Sequence, residues 1–434
     1  MPERVLVLGG YGLIGLNVCK KLIVEGHAVT GLGRSMEKAQ KLLPEADWVF
    51  ADISKIVTPE EWEQILTAKR ITAVVNASGA LQSSFKDNVE AVQRDAIIAL
   101  LAACERKGNT KFVQISAPGA APNADTLFYR SKGEADEVLK QSSLDWTIFR
   151  PGLVIAPQAY GGTSLVRMLA AFPLLQPIVM KDTAVQTVAV DDVAEAVSLT
   201  FRMPMEGGDY DLVEGTDRSL EDVVLAVRNW LGFGRPRLVL SLPAWFGSLA
   251  GRLADMAGWL GWRPALRTSA LKVLTSGVKG DRSSYEAATG HKLKQLDETL
   301  RNVPSTAQER IYARTMLLFP LALVGLSLFW LVSGLIGFAQ HDRAVAVISG
   351  ALPDTLSHGF VHLGSIADCL IGLGLLVRPW VRAAAFGSIL LSAGYLGASA
   401  VFTPHLWSDP LGPMIKVFPV MLLALMVAAL AEDR

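Results

Sequence analysis

The sequence predicts an α/β fold, a doubly wound parallel sheet, followed by an all-α four-helix transmembrane bundle. Three observations predict it. Short apolar runs alternate with helical patterns in the first part of the chain, a glycine-rich turn follows the first run, and long apolar stretches fill the last third. The 434 residues carry no net charge at neutral pH, so no basic footprint indicates a nucleic-acid partner.

The first strand and the turn after it give the clearest pattern. Residues 5–8 form a continuous apolar run, typical of a buried parallel strand, and a helical pattern starts near Gly12. Glycines let such a turn adopt positive φ and let the backbone approach a pyrophosphate, which the free N–H groups of the helix then bind. The turn therefore predicts a Rossmann-type dinucleotide-binding domain. Its predicted cofactor residues are Gly9, Gly10, Tyr11, Gly12, Leu13, Ile14 and Gly15.

The segment after the second strand, residues 28–32, bears on the choice of cofactor. NAD-preferring folds usually place an acidic residue there, which binds the ribose hydroxyls. This chain has Arg34 and Ser35, a cation and a hydroxyl suited to a 2′-phosphate. The pattern favours NADP(H) over NAD(H), and a solvated loop arginine is the alternative.

Three further strand-like segments end at Asp52, Asn76 and Ser116, with helical segments between them. The carboxyl ends of parallel strands meet at the edge where cofactor and substrate bind. For Asn76, an amide that caps a turn is an equally good interpretation. The residues after these strands that we expect in the pocket are Asn76, Ala77, Ser78, Gly79 and Ser116.

From about residue 3 to 300 the chain resembles the short-chain dehydrogenase/reductase superfamily. It is most similar to the atypical branch with the NmrA-like proteins and the accessory nucleotide-binding subunit of respiratory complex I. The motifs are "GGYGLIG", "GRS", "ADIS", "ISAPGA", "YRSKGEADEVL", "WTIFRPGLVIAP" and "VAVDDVAEAV". The resemblance implies that Asp52 lies near the adenine. It also implies that Lys132 and the backbone of Arg150, Pro151 and Gly152 lie around the nicotinamide ribose. Asp192 is expected to cap the helix that starts there.

Active members of that superfamily use a tyrosine and a lysine four residues apart, with a serine that polarises the carbonyl. A phenol of pKa about 10 must be brought toward neutrality by a fixed cation. Here Phe128 stands in the tyrosine position, and phenylalanine cannot transfer a proton. Tyr129 can neighbour Lys132 on a helix, but the shift of one position turns its side chain by about 100°. The catalytic candidates are Ser116, Tyr129 and Lys132.

Residues 1–305 are expected to form the NAD(P)-binding domain, in which 153–300 supply a variable substrate or lid region. Within it, "LPAWFGSLAGRLADMAGWLGWRP" predicts an apolar helix. Its tryptophans Trp245, Trp259 and Trp262 suit an interface between water and lipid. A helix packed on the sheet or over the pocket is the alternative.

Residues 306–434 are expected to form a membrane domain, because their apolar stretches match the ~30 Å of bilayer hydrocarbon. Basic residues precede the first stretch, lie in the link 378–382 and end the chain. The positive-inside rule then places both termini in the cytosol of a multi-pass protein of the bacterial inner membrane. The predicted spans are about 316–339, 359–377, 383–402 and 412–431. The apolar core of the last one, Val417 to Ala431, is short, but Leu411 to Ile415 can extend it and Lys416 can snorkel.

This region resembles the DoxX-like membrane family through "LFWLVSGLIG", "GSIADCLIGLGLL" and "PHLWSDPLGPMIK". Family members are associated with membrane oxidoreductase complexes, which implies quinone or thiol redox chemistry. A carboxylate within a bilayer must be paired, hydrated or protonated. Asp368 and His362 could build a proton or ligand site, or Asp368 could hydrogen-bond to a neighbouring helix. Two histidines, 358 and 362, have ligand spacing but no third partner, so no metal site is predicted.

The sequence thus predicts a membrane-anchored NAD(P)-dependent oxidoreductase that acts on a carbonyl, quinone or lipid-linked substrate. Two alternatives stay open. One is a catalytically inactive NADP(H)-binding structural or sensor subunit of a membrane complex, and the other is an NAD-dependent epimerase or isomerase. The expected partners are the substrate, the lipid bilayer, and a membrane complex or a second copy of the chain, but no nucleic acid.

Overall fold

The computed structural model contains two compact units. One comprises Met1–Arg252 with Ala265–Ala313, and the other Leu253–Pro264 with Arg314–Arg434. The described residues are 2–79, 88–205, 207–262, 264–350 and 352–431.

The first unit is built on a seven-stranded parallel sheet with the order β10-β6-β5-β4-β1-β2-β3. The chain runs outward from β1 on both sides, so the predicted doubly wound sheet is confirmed. Two smaller parallel pairs, β7 with β9 and β8 with β11, lie outside the main sheet. The strands are β1 Arg4–Leu8, β2 Ala28–Gly33, β3 Asp47–Phe50, β4 Ala73–Asn76, β5 Lys111–Ile115, β6 Asp145–Pro151, β7 Leu153–Ile155, β8 Leu175–Val179, β9 Thr187–Ala189, β10 Gly208–Leu212 and β11 Leu238–Leu242.

Helices cover both faces of the main sheet, and strand β1 shows why. Val5 and Val7 point into one apolar core, and Leu6 and Leu8 point into the other. A strand buried on both faces needs an apolar residue at every position, which the sequence supplies. The helices of this unit are α1 Leu13–Val24, α2 Met36–Leu42, α3 Pro59–Ala68, α4 Ala96–Lys107, α5 Leu127–Gln141, α6 Gly162–Ala170, α7 Val190–Leu199, α8 Leu220–Trp230, α10 Thr268–Ser276, α11 Ser283–Thr289 and α12 Leu296–Asn302, and α9 Ala244–Trp259 continues into the second unit.

Helix α7 differs from the prediction at its start. Ala189 is its N-cap, and Asp192 lies in the first turn rather than at the cap. The carboxylate of Asp192 accepts a hydrogen bond from the backbone N–H of Lys294 at 2.8 Å and pairs with the Lys294 ammonium. The predicted cap is therefore wrong, because this carboxylate binds a segment that the chain reaches only about a hundred residues later.

The described residues of the second unit form helices and the turns between them. Among the described residues, three helices are long and apolar enough to cross a membrane: α13 Ala307–Ala339, which begins in the first unit, α15 Asp354–Leu376 and α16 Val381–Phe402. The fourth predicted span is not one helix, because residues 411–416 form turns and the helix has 14 residues, about 21 Å. Pro410, Gly412 and Pro413 explain the difference, since each disfavours a helix. The helices are α13 Ala307–Ala339, α14 His341–Ile348, α15 Asp354–Leu376, α16 Val381–Phe402 and α17 Val417–Leu430.

Candidate functional site

The glycine turn between β1 and α1 closes tightly on itself. Gly9 adopts a φ of +69°, and the N–H of Gly12 donates to the Gly9 carbonyl at 2.7 Å. A Cβ at Gly15 would overlap that same carbonyl oxygen, so only hydrogen fits there. Gly12 is the N-cap of α1 and brings no side chain to cap it. The first N–H groups of the helix, at Leu13 and Ile14, are thus left for a ligand at the carboxyl edge of the sheet.

Tyr11 connects this turn to the end of β2. Its hydroxyl accepts hydrogen bonds from the backbone N–H groups of Arg34 at 2.8 Å and Ser35 at 3.1 Å. Its ring fills the space over Gly33, where a Cβ would overlap it. Gly10 in turn lies against Gly31, with room for little more than hydrogen. The predicted pyrophosphate and 2′-phosphate segments are therefore parts of one packed corner.

Ser35 and Asp52 both serve local structure at this corner. The Ser35 hydroxyl accepts from the N–H of Lys38 at 3.3 Å and caps α2, while the Arg34 residue is exposed. The Asp52 carboxylate accepts from the N–H and hydroxyl of Ser54, at 3.1 and 2.8 Å, and caps a short 3₁₀ turn. Asp52 therefore stabilises the loop after β3, which ends at Phe50 rather than at Asp52 as the sequence predicted.

The end of β4 carries a buried amide network. The Asn76 oxygen accepts from the N–H of Ser78 at 3.0 Å and from its hydroxyl, which is the turn-capping interpretation. The Asn76 amide also donates to Gln114 on β5 at 2.9 Å. Ala77 and Ser78 then lead to Gly79, where a Cβ would be 3.7 Å from the Lys132 ammonium nitrogen. This strand end and the lysine thus lie side by side.

Phe128, and not Tyr129, faces Lys132. The Lys132 nitrogen lies 5.9 Å from the centre of the Phe128 ring and donates to the carbonyl of Ile115 at 2.9 Å. Helix α5 is continuous over the motif, so no irregularity compensates for the shift of one residue. Tyr129 is buried beside Gly119, and none of the hydrogen bonds found among the described residues uses its hydroxyl.

Burial shifts the pKa values of both groups. It lowers the pKa of the Lys132 ammonium to about 8, an effect that the carboxylate of Asp136 partly offsets. It raises the pKa of the Tyr129 phenol. A phenol that serves as a general acid near neutral pH needs the opposite shift, which a neighbouring cation supplies. Lys132 supplies its charge beside Phe128 instead.

Ser116 belongs to a buried ionic network that the sequence analysis missed. Its hydroxyl donates to Asp136, which also accepts from Gln114 at 3.3 Å and pairs with Arg150 at 3.2 Å. Arg150 pairs in turn with Asp209 on β10. The spacing of Lys132 and Asp136, one helical turn apart on one face, was the available signal. The sequence could not show that Arg150 joins this network, because Arg150 lies on β6 and spacing along α5 says nothing about a residue on another element.

The membrane-type helices contain a second buried carboxyl group. Asp368 on α15 accepts from Ser333 on α13 at 2.6 Å and from Tyr395 on α16 at 2.8 Å, which links three helices. His362 does not join it. The His362 ring stacks on His341 at 4.0 Å, and a 2.8 Å hydrogen bond joins His341 to His358. Asp368 and His362 therefore belong to two separate clusters, and the structure does not bring them together in one site.

Within the described ranges, no three His, Cys, Asp or Glu side chains are arranged to hold a metal ion. The interpretation of Asp368 as a carboxyl group hydrogen-bonded to neighbouring helices agrees with its two hydroxyl donors. Hydrogen bonds between helices add specificity to packing in an apolar environment.

Two family models match separate parts of the chain. Residues 9–198 match the model of an NAD(P)H-binding family, and residues 327–425 match that of the DoxX-like family. The chain is 31% identical over 148 residues to a photosystem II assembly factor, Ycf39, of Synechocystis sp., a match to 34% of this chain and 44% of that protein. The Ycf39 protein of Guillardia theta is 30% identical over 146 residues, 33% of this chain and 45% of that one. The chain therefore spans less than half the length of these relatives.

Solved structures agree on the fold. A UDP-glucose 4-epimerase of Thermotoga maritima, solved with UDP-glucose, superposes with a TM-score of 0.52 at 18% identity. The match covers 72% of this chain and 99% of the epimerase chain. At this identity the similarity shows a shared fold and not a shared substrate.

Proposed function

Because the chain joins an NAD(P)H-binding domain of the atypical short-chain dehydrogenase/reductase type to a DoxX-like domain, we propose that it is a membrane-anchored oxidoreductase. Its reductant would be NADPH and its acceptor a lipid-soluble quinone. The single observation that carries the proposal is the glycine turn, in which a Cβ at Gly15 would overlap the carbonyl of Gly9. Such a turn leaves the first N–H groups of α1 free to hold a pyrophosphate.

The choice of NADP(H) rests on the end of β2. Arg34 and Ser35 follow Gly33 there, and Tyr11 fixes their backbone with two hydrogen bonds. An exposed guanidinium at this position would pair with a 2′-phosphate, whereas an acidic residue would favour the hydroxyls of NAD. Gly9, Gly12 and the amides after them would hold the pyrophosphate.

The choice of a quinone rests on the missing phenol. When bound, a nicotinamide coenzyme supplies a hydride. A carbonyl that accepts hydride becomes a strongly basic alkoxide and needs an acid at once, but Phe128 stands where that acid would be. A quinone becomes a weakly basic phenolate, so a proton from the Lys132 ammonium or from water completes the hydroquinone. The low pKa of Lys132, about 8, suits that donor.

The membrane part of the proposal uses the distribution of basic residues. Arg310 and Arg314 precede the first long apolar helix, and Arg378 and Arg382 lie in the link between α15 and α16. The positive-inside rule then puts the N-terminus, and with it the dinucleotide-binding domain, in the cytosol of a bacterial inner membrane. The C-terminus would lie on the same side if α17 crosses as a fourth span. An acceptor dissolved in the bilayer agrees with this topology.

The test is NADPH oxidation by the full chain in phospholipid vesicles with a short-chain ubiquinone. We expect steady oxidation of NADPH, slower oxidation of NADH, and hydroquinone formed in a one-to-one ratio. A Gly15→Ala variant should lose the activity, and a Gly234→Ala variant should keep it, because Gly234 has open space around its Cβ position. Coenzyme binding without any oxidation would refute the enzyme and leave the binding intact.

A second candidate function is favoured by one specific observation. An inactive site would have no proton donor in the tyrosine position, and here Phe128 lies beside Lys132. The hydroxyl of the adjacent Tyr129 makes no hydrogen bond within the described part of the chain. The chain would then hold NADP(H) as a structural or sensing ligand in a membrane complex or a homo-oligomer, and two relatives bear the name of assembly factors. Coenzyme that co-purifies and does not exchange within hours would support this role. An epimerase or isomerase also needs a proton-transfer group, so the Tyr129→Phe test applies to it.

A further inference from the structure

Helix α9, Ala244–Trp259, turns its small residues toward the protein and its large apolar residues away from it. The buried positions are Gly247 and Gly251, one turn apart. A Cβ at Gly247 would be 2.9 Å from the Val179 side chain, and one at Gly251 would be 2.9 Å from Leu271. The packed face of the helix is therefore a glycine face with no room for larger residues.

The exposed face is the apolar one. The exposed fractions of Leu253, Met256 and Trp259 are 57%, 64% and 72%. A surface helix of a soluble protein shows the reverse pattern, with its large apolar residues in the core. Arg252 and Asp255 are the charged residues of the helix. The exposed large apolar residues of this segment are Trp245, Phe246, Leu249, Leu253, Met256, Trp259 and Leu260.

The end of this segment is fixed to the membrane-type helices. In the second unit, the Trp262 indole donates to the carbonyl of Leu376, the last residue of α15, at 2.7 Å. The N–H of Arg378 donates to the Leu260 carbonyl at 2.9 Å, and the Arg378 guanidinium lies 5.5 Å from the centre of a Trp262 ring. Arginine and tryptophan at the end of an apolar span mark the level of the lipid headgroups.

We infer that the part of α9 in the second unit, residues 253–259, lies in the interface of the bilayer, with its exposed apolar side chains inserted among the lipids on the side of Arg378 and Arg382. The inference rests on the proposal that α13, α15 and α16 span the membrane. Lipid is the occupant that the contacts favour, because the segment continues directly into residues bonded to the end of a span. Its tryptophans suit the boundary between water and lipid. Its opposite face, with Gly247 and Gly251, packs on protein, so that face needs no charged residues to meet water.

The test uses nitroxide labels on single cysteines of the full chain in vesicles of phosphatidylethanolamine and phosphatidylglycerol. The background carries Cys369→Ala. Cys19 and Cys104 can stay, because burial raises both thiol pKa values to about 12 and keeps them unreactive near neutral pH. Collisions with oxygen, which concentrates in lipid, are compared with collisions with a water-soluble nickel chelate. NADPH binding equal to that of the background confirms that each variant is folded.

The labelled variants are Leu253→Cys and Met256→Cys on α9, with two matched controls at exposed apolar residues. Leu390 on α16 is 76% exposed and should report the lipid interior, and Val24 on α1 is 84% exposed and should report water. We expect the ratio of oxygen to nickel collisions at 253 and 256 to be several-fold above that at 24 and below that at 390.

Three results would overturn the inference. A ratio at 253 and 256 equal to that at 24 would mean that α9 is in water. Low collision with both reagents would mean that a protein surface, such as a second copy, covers the helix. A label at 390 that behaves like the one at 24 would show that the helices do not span the bilayer, and this failure of the premise is distinguishable from the first two.

Discussion

Two regions lie at the same edge of the sheet: the glycine turn, residues 9–15, and the Phe128 corner, which is Phe128 with Lys132 on α5. They differ in how completely they match a dehydrogenase site. In the turn, Gly9, Gly12 and Gly15 each have the geometry that close backbone approach requires. In the corner, Lys132 is present and the phenol beside it is replaced by a ring without a hydroxyl. Coenzyme binding and proton transfer are therefore encoded separately in this domain.

The difference follows from what each function uses. The turn binds through backbone N–H groups, which any sequence has once glycine permits the path. Proton transfer uses one side-chain oxygen at one position, and a single substitution removes it without disturbing the fold. The Phe128 ring keeps the packing of the corner, with its centre 5.3 Å from that of the Tyr129 ring. Under the proposed function, the glycine turn would hold the coenzyme, and Phe128 would restrict which acceptors can be reduced.

The largest expected effect comes from restoring the phenol. A Phe128→Tyr variant places a hydroxyl beside the Lys132 ammonium, and we expect reduction of aldehydes by NADPH to rise about 100-fold, at the low end of what general acids contribute. Quinone reduction should change little. The measurement is NADPH absorbance decay with each acceptor.

The matched control is Tyr129→Phe, which removes the only neighbouring phenol of the motif and keeps its packing. We expect unchanged rates with both acceptors, because the Tyr129 hydroxyl makes no contact with Lys132 in the described part of the chain. A loss of activity in Tyr129→Phe would show that Tyr129 is the general acid. The Phe128 corner would then be as complete a dehydrogenase site as the glycine turn.

The next effect concerns the glycine turn. Gly15→Ala adds a Cβ that overlaps the Gly9 carbonyl, and the turn must shift. A cost of about 2 kcal/mol, typical of overpacking, would weaken NADPH binding about 30-fold. Gly234→Ala, with open space around it, is the control and should bind like the unaltered chain. Equal affinities of both variants would contradict a role for the turn.

A pH effect follows from Lys132. Its folded-state pKa is lowered to about 8, so the ammonium is present below pH 8 and is lost above it. If this proton completes quinone reduction, turnover should fall about tenfold between pH 7 and pH 9, since one unit above the pKa about a tenth of the acid remains. In Lys132→Met the rate should be low and constant over that window. A profile of the unaltered chain that stays flat would exclude Lys132 as the donor.

The smallest effect is the coenzyme preference. Arg34→Gln removes an exposed charge, and a loss of about 1 kcal/mol would weaken NADPH binding about fivefold. NADH binding should stay the same, because NADH has no 2′-phosphate. Fluorescence titration of both coenzymes gives the ratio. An equal loss of affinity for NADPH and NADH would mean that Arg34 supports the fold around the end of β2 rather than recognising the 2′-phosphate.

The sequence predicted the features that depend on local pattern. The buried strand β1, the glycine spacing and the long apolar helices are each readable within one stretch of chain. The features that it missed depend on distant residues. Asp192 binds Lys294, and Asp136 pairs with Arg150 from a neighbouring strand. Neither partner can be found from spacing.

The fourth span shows a different limit. Its apolar composition predicts a membrane helix, yet the two prolines and the glycine at 410–413 keep residues 411–416 in turns. Composition measures the preference for lipid, and helix formation also needs a continuous set of backbone hydrogen bonds. The helix-breaking residues Pro410, Gly412 and Pro413 are visible in the sequence, but the prediction gave more weight to the hydropathy of the stretch.

The most direct test of the account is titration calorimetry of the full, detergent-solubilised chain with NADPH. We expect saturable binding of one NADPH per chain that is tighter than the binding of NADH. The binding should be greatly weakened by Gly15→Ala and unchanged in Gly234→Ala. No heat from either coenzyme with folded protein would contradict the claim that the glycine turn is a coenzyme site.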